Sequence, residues 1–503
     1  MGKKVYAAFL DYKQCFDRIN RSFMFQKMLA QNVSGTFVKA IKSMYMSVRA
    51  CIRHNEGTSK EWVHLNSGVK QGDPSSPIIF MMFVNDIVEN INSDIEDIFS
   101  IDDMKLFILM FADDQVLFSS SAASLQSMLN DVQTYCDTWG LTVNINKTKV
   151  MIFEKGSYPS VHKFYLNGKE IELVSSFKYL GVYFFKNGNW HRTQKCIAEH
   201  ASSALYKLFL IYNKTELPTS EKCKLFNALV APVLNYSSEV WGFHEGKNIE
   251  LVHTKFCRKV LYVRRSTNLS ALYGELGRYP MYIMRLLHII KYWLKLLKLE
   301  DNVLIKHVYN MLRSDADNGL DYGGSNWAHQ LKTLLETHGF LYLWQEQDIL
   351  DIRFPIIQQR IIDIYKQKWY SEINNSPRLI AYSSFKHDLN FETFLDQIHE
   401  KRYKIALTRL RVSSHHLKIE RGRYENLPRD ERKCIHCNMN ILENEYHFTL
   451  VCPMYQDLRK KYLKPRYCCW PTLTKFNQLM ESKNRNTLFN LSKYIYFANK
   501  LRE

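Results

Sequence analysis

The sequence predicts an α+β chain with its strands confined to the first 190 residues, and three observations carry that reading. Short apolar runs bounded by turn-forming residues crowd the N-terminal part, as strands do. From about Thr193 onward apolar residues recur at helical spacing, in long stretches at Thr193 to Tyr212, Ser220 to Trp241, Glu250 to Val263 and Met281 to Leu299. Near the C-terminus a compact Cys/His set interrupts the helical texture. A chain of 503 residues suits roughly two to four domains, and the change of texture places a boundary near 190.

With 46% apolar and 23% charged residues the chain has a globular make-up, not a disordered one. Its 68 basic and 50 acidic residues leave a formal charge of +18, so a polyanion such as nucleic acid is the expected bulk partner, ahead of an acidic membrane surface. Eleven scattered cysteines, an odd number, point to a reducing compartment. No leader is visible, since the apolar run Val5 to Leu10 is cut short by Asp11. The longest apolar runs, such as Ile78 to Val84, fall far below the roughly 20 residues of a membrane span. These features predict a soluble intracellular protein, nuclear or cytoplasmic, with no membrane partner.

Taken in order, Val5 to Leu10 reads as a buried strand ending on Asp11, and Tyr12, Cys15, Phe16 and Ile19 follow at helical spacing. Helical patterns run through Phe23 to Leu29 and Phe37 to Met46, and Val48 to Arg53 with Trp62 to Leu65 form a hairpin around Asn55-Glu56-Gly57. Two glycines and two prolines shape the loop from Ser67 to Pro77, where Ser76 as N-cap and Pro77 at the first helical position start a helix. Leu106 to Phe111 and Gln115 to Phe118 flank Ala112-Asp113-Asp114 as a buried hairpin. Leu125 to Trp139 is an amphipathic helix stopped by Gly140. Leu141 to Phe153 returns to strand-like alternation, and a further hairpin holds Phe177 to Phe184.

Two adjacent aspartates at a buried hairpin tip are costly unless something positive neutralises them. A divalent cation does so, because hard cations take carboxylate oxygens together with substrate phosphates; a solvated Asp-Asp turn is the plainer reading. Asp11, at a strand-to-helix junction, can join them only through the tertiary fold. Gln71 and Gly72 exceed what helix entry needs, a glycine backbone being free to approach a base or sugar. Lys147 and Lys149 can contact phosphates or be solvated edge lysines. Between 315 and 430 basic and aromatic residues interleave, as in Lys366-Gln367-Lys368-Trp369-Tyr370 and Lys401-Arg402-Tyr403-Lys404, which suits nucleic-acid binding or an ordinary helix surface equally. Cys434, Cys437, His447 and Cys452 have the spacing of a four-ligand zinc site, with a buried thiol cluster as the alternative and His436, Cys468 and Cys469 as substitute ligands.

The ordered set Ala8-Phe9-Leu10-Asp11 with Phe16-Asp17, Gln71-Gly72-Asp73-Pro74-Ser75-Ser76-Pro77, Phe111-Ala112-Asp113-Asp114 and Phe177-Lys178-Tyr179-Leu180-Gly181 resembles the motifs of reverse transcriptases. Val233-Leu234-Asn235-Tyr236 through Gly242, Tyr273-Gly274-Glu275-Leu276-Gly277-Arg278-Tyr279-Pro280, and His447 through Pro453 are similar to the non-LTR, LINE-type retrotransposon branch. The resemblance implies a polymerase palm over 1–190, a helical thumb over 191–300, a helical basic region over 301–430, and a zinc-knuckle-like module with C-terminal helices over 431–503. It implies RNA-directed DNA synthesis on an RNA template from a DNA primer with deoxynucleoside triphosphates. Asp11, Asp113 and Asp114 would hold two Mg2+ ions, and the Cys/His set one structural Zn2+. Phe16 would stand where the family sets a bulky ring against the sugar 2′ position, and Gln71 and Gly72 would line template and incoming nucleotide. Lys147 or Lys149 would protonate pyrophosphate, and Tyr179, Leu180 and Gly181 would belong to the primer grip.

Two departures from the family pattern bear on activity. Only ten residues precede Asp11, where the family has a fingers region and, ahead of it, an endonuclease, so the resemblance implies a shortened chain. Ser75 also replaces a larger apolar residue. The alternative to a polymerase is therefore a catalytically impaired, nucleic-acid-binding remnant of such an element. On that expectation the chain alone binds primer and template but extends weakly until a fingers segment is restored.

Overall fold

A computed structural model describes residues 4–54, 57–91, 97–101, 104–154, 162–321, 326–347 and 354–502. They fall into two units, Met1–Thr193 with Asp301–Met311, and Gln194–Glu300 with Leu312–Glu503. The first unit is organised on a sheet. Its strands are β1 (Val5–Leu10), β2 (Ile108–Phe111), β3 (Asp114–Ser119), β4 (Lys149–Phe153), β5 (Phe164–Leu166) and β6 (Lys169–Leu173). They lie in the order β5-β6-β4-β1-β3-β2, antiparallel throughout except for the β4–β6 pair.

Side-chain alternation divides the core between the two faces of this sheet. Tyr6, Ala8 and Leu10 of β1, Leu117 of β3 and Val150 and Ile152 of β4 enter the larger core, whereas Ala7, Phe9, Val116 and Met151 enter a smaller one on the opposite face. Because both faces are covered, the central strands read as unbroken apolar runs, not as alternation. The larger core is closed by helices α1 (Cys15–Arg18), α2 (Arg21–Ala30), α3 (Gly35–Tyr45), α4 (Ser76–Val84) and α5 (Ala122–Trp139). The smaller is closed by the hairpin β7 (Ser176–Tyr179) and β8 (Val182–Phe185), whose Phe177 stacks on Phe9 at 4.2 Å between ring centroids.

Lys27, only 2% exposed, clamps three helices. Its ammonium donates to the Phe83 carbonyl (2.8 Å), Asp86 Oδ1 (2.7 Å) and the Tyr135 hydroxyl (2.5 Å), and it sits 3.9 Å from the Trp139 ring centroid. Every polar hydrogen thus has an acceptor, which makes the burial of this charge tolerable.

Several elements differ from the sequence expectation. Helix α1 spans only four residues, because Gln14 before it is left-handed (φ 47°) and Ile19 after it is extended. Helix α4 begins one residue earlier, with Ser75 in the N-cap place and Pro77 at its second position; Ser76 instead donates its hydroxyl to the Lys70 carbonyl. The strand before the aspartates is not buried: β2 is the sheet edge, and Phe111 is 63% exposed. Only Lys149–Phe153 of the run Leu141 to Phe153 is strand, since the preceding residues turn to bond Lys13 and Asp11. The expected hairpin near residue 55 has the paired segments Arg49–Ala50 with Val63–His64 and Arg53–His54 with Gly57–Thr58, while Asn55 and Glu56 lie outside the described residues.

The second unit is helical. The pattern from Ser220 to Trp241 is three helices, not one, Thr219–Leu229, Ala231–Leu234 and Ser238–Trp241, with Pro232 opening the second. Trp241, Trp293, Trp344 and Trp369 are fully buried in it. Arg411, enclosed in this core, forks onto Glu275 (2.9 and 3.0 Å) and reaches Glu392 at 3.2 Å, and Lys386 also pairs with Glu392. No described helix in either unit is long and apolar enough to cross a membrane.

Candidate active site

The pairing of β1 with β3 runs from Tyr6 opposite Ser119 to Leu10 opposite Gln115, so the next rung sets Asp11 level with Asp114. Asp113 occupies the two-residue turn between β2 and β3, beside Ala112, whose left-handed backbone (φ 53°) is rare for a residue with a Cβ. Three carboxylates thereby converge at one end of two central strands. Burial, then the charges of Asp113 and Asp11, hold the Asp114 carboxyl above its ordinary range.

Backbone bonds fix this corner. Asp11 donates its N–H to Thr148 Oγ1 (3.2 Å) and its carbonyl accepts from Asn144 N (2.7 Å), while Lys13 N donates to the Thr142 carbonyl (2.8 Å). The Cys15 thiol donates to Asp113 Oδ2 at 3.6 Å, and burial followed by the Asp113 charge pushes that thiol up to about 12. Asp11 Oδ2 is enclosed without a hydrogen-bond partner among the described residues, and Lys147 Nζ stands 3.8 Å from it. That distance is an ion pair but too long for a hydrogen bond. A desolvated carboxylate oxygen left in this state is costly, and a divalent cation held by Asp11, Asp113 and Asp114 would satisfy it. The donor set, all carboxylate oxygen, suits Mg2+.

Around the carboxylates, Phe16 on α1 lies against Phe80 (4.7 Å, tilted 34°) and is half-buried. Gln71 donates its amide to Asp17 Oδ1 at 2.8 Å. Gly72 has φ +81° and open space where a Cβ would stand. Tyr179, at the end of β7, packs 5.6 Å from Phe9, and burial with the Asp114 charge raises its hydroxyl. Leu180 and Gly181 form the hairpin turn with φ 45° and 83°, the paired left-handed residues of a two-residue hairpin loop. Lys149 does not join this group: its ammonium bonds the Asn146 carbonyl and Glu172 Oε2, each at 2.6 Å.

Arg21 supports the site without a sequence motif to mark it. Its guanidinium donates to the carbonyls of Gly68 (2.9 Å), Ser67 (3.0 Å), Leu65 (2.6 Å) and Tyr45 (3.2 Å), pinning the loop that carries Gln71 and Gly72. Gly68 closes the same joint, with N–H to the Ile19 carbonyl at 2.8 Å.

Residues 1–184 match the family described as reverse transcriptase (RNA-dependent DNA polymerase). Those residues carry a reverse transcriptase domain, and the chain is similar to the polymerases of retrotransposable elements. It is 27% identical over 194 residues to the retrovirus-related Pol polyprotein from type-2 retrotransposable element R2DM of Drosophila melanogaster, covering 37% of this chain and 18% of that protein. It is 24% identical over 275 residues to the RNA-directed DNA polymerase from mobile element jockey of Drosophila funebris, covering 52% and 29%. It is 23% identical over 284 residues to the retrovirus-related Pol polyprotein from type-1 retrotransposable element R2 of Popillia japonica, covering 55% and 45%. The chain thus spans less than half the length of each of these relatives. The reverse transcriptase domain coincides with the first unit's sheet, so the carboxylate corner belongs to it.

Beyond that domain, in the second unit, the ligand atoms of Cys434, Cys437, His447 and Cys452 all lie within 4.8 Å of one another. His436, Cys468 and Cys469 are not part of that group. Cys434 N bonds the Ile441 carbonyl (2.9 Å), Arg459 holds the Cys452 carbonyl (2.7 Å), and Asn444 Oδ1 accepts from His447 N (2.8 Å). Burial raises the thiols of Cys434, to about 12, and Cys452, and lowers His447. Three sulfurs and one imidazole at this separation match the donor set and size of a tetrahedral zinc site.

Proposed function

We propose that the chain is an RNA-directed DNA polymerase of a retrotransposon, transferring nucleotides to a primer 3′-hydroxyl at Asp11, Asp113 and Asp114. The observation that supports it is the enclosed Asp11 Oδ2, without a hydrogen-bond partner among the described residues, beside two further carboxylates, of which Asp114 is held above its ordinary range by burial and then by the charges of Asp113 and Asp11. Two Mg2+ ions bound there supply Lewis-acid activation of the hydroxyl and neutralise charge on the leaving pyrophosphate. Asp11 and Asp114, on adjacent strands, hold their carboxylates in a fixed relation, and Asp113 adds a ligand from the turn. Lys147, next to Asp11 and 70% exposed at its side chain, is the lysine placed to give a proton to pyrophosphate, in preference to Lys149. Phe16 presents the ring that discriminates against a 2′-hydroxyl, Gln71 and Gly72 face template and nucleotide, and the turn at Tyr179, Leu180 and Gly181 steadies the primer end. RNA template, DNA primer and deoxynucleoside triphosphates are the substrates on this reading, and the nucleus the expected place of work. The sulfur and imidazole set holds one structural Zn2+. The test is extension of a DNA primer on an RNA template by the purified chain, alone and with a fingers segment supplied: weak addition by the chain alone and Mg2+-dependent, template-matched addition with that segment are expected, and addition that persists after chelation of all divalent ions would overturn the reading.

A further inference from the structure

Between the end of helix Trp190–Lys214, the start of Thr219–Leu229, the end of Lys247–Leu261 and the start of Lys401–Arg411 lies a cavity of about 530 Å³. Its walls carry Lys222, Lys259, Lys401 and Lys404. None of these four ammonium groups forms an ion pair with a carboxylate among the described residues; two carboxylates, Glu216 and Asp396, also line the cavity and partly offset the lysine charge, and Asp396 accepts from Ser220 N (3.1 Å). Instead three of them lie over rings, Lys401 4.8 Å from Tyr262, Lys222 5.7 Å from Tyr212 and Lys259 5.9 Å from Phe209. Lys222 and Lys404 are half-buried, and each is held below the ordinary lysine pKa, first by burial and then by a neighbour, Lys401 for Lys222 and Lys222 for Lys404. Tyr262 keeps a left-handed backbone (φ 56°), its carbonyl fixed by Arg409 Nε at 3.0 Å. Like charges gathered in a partly desolvated hollow oppose folding unless an anion joins them.

We propose that this cavity is a phosphate-binding site separate from the carboxylate corner, and that it takes the phosphate groups of a nucleic-acid strand, with the half-buried Lys222 and Lys404 contacting them. The identity of the anion as a strand rests on the polymerase reading; the lysine geometry does not.

The experiment uses the full chain and a fluorescently labelled uridine oligonucleotide of ~20 residues, with affinity measured by anisotropy from roughly 50 to 300 mM salt. Losing two phosphate contacts at about 0.7 each should flatten the slope of log affinity against log salt by about 1.4 in Lys222→Gln/Lys404→Gln. The exposed pair Lys247→Gln/Lys255→Gln should leave that slope near the parent's. Inorganic tripolyphosphate should displace the oligonucleotide from the parent more readily than from the double variant. Thermal unfolding of the double variant should occur at or above the parent's temperature, because two like charges have been removed. An unchanged slope, an equal change in the control pair, or a large fall in unfolding temperature each overturns the proposal. Tripolyphosphate binding that the double variant loses, with the oligonucleotide slope unmoved, overturns the strand as ligand. Primer extension reads the polymerase proposal and the salt slope reads the cavity, so a failed polymerase reading shows in extension and a failed cavity reading shows in the slope.

Discussion

Replacing Gly68 by alanine tests how the loop bearing Gln71 is joined to the helix bearing Phe16. At φ +76°, an added Cβ would stand 2.6 Å from the Asp17 carbonyl oxygen and 2.7 Å from its carbon and Cα, all backbone atoms that cannot rotate away. The left-handed conformation costs alanine about 1 kcal/mol. Relieving the overlap means opening the bonds from Gly68 N to the Ile19 carbonyl and from Val69 N to the Phe16 carbonyl, at about 1 kcal/mol each. The total is about 3 kcal/mol, which for a unit of this size lowers the unfolding temperature by about 6 to 12 °C. Gly72→Ala is the matched control: its φ is +81° but open space surrounds the new methyl, so about 1 kcal/mol and about 2 to 4 °C are expected. Differential scanning calorimetry of the two variants decides. Equal shifts, or a Gly68→Ala protein as stable as the parent, would refute the close approach of this loop to Asp17.

Lys147→Gln should slow nucleotide addition by at least about tenfold, since general acid catalysis contributes about a hundredfold or more, whereas Lys149→Gln, which removes an ion pair with Glu172, should leave the rate within about twofold and cost at most about 1 kcal/mol in urea unfolding. Phe16→Ala should raise ribonucleotide use relative to deoxynucleotide use in single-nucleotide addition, while losing the Phe80 contact costs about 1 kcal/mol; an unchanged preference ratio would leave Phe16 a packing residue only. Metal analysis of the full chain, purified under reducing conditions, should give one zinc per chain, reduced in Cys437→Ser; a folded, reduced protein without zinc would favour a plain thiol cluster.

The parts of this fold legible in sequence are those where packing leaves a pattern. β1 shows as the run Val5 to Leu10 because both its faces are covered, and Gly140 marks the end of α5 because the chain needs a left-handed residue there (φ 72°). The convergence of Asp11 with Asp113 and Asp114 depends on strand register, which the residues around each aspartate do not encode individually. Arg21 left no trace because its partners are four carbonyls, and any residue type can supply a carbonyl. Lys27 is buried because acceptors from α4, α5 and Asp86 and rings from α4 and α5 meet it, a convergence that only the tertiary fold brings about. The exposure of Phe111 was hidden for a different reason: an apolar run does not reveal whether its strand lies at the centre or the edge of a sheet.

The central claim, that Asp11, Asp113 and Asp114 form the catalytic metal site of a polymerase, is tested most directly by single-nucleotide addition to a DNA primer on an RNA template, with Mg2+ and millimolar-range deoxynucleotide, comparing the parent with Asp113→Asn. The substitution keeps the side chain's size and removes one carboxylate charge from the corner. Addition should fall at least about a hundredfold, the usual scale for losing one preorganised electrostatic contact to the transition state, while the unfolding temperature stays at or above the parent's. Addition by Asp113→Asn at the parent's rate would contradict the account.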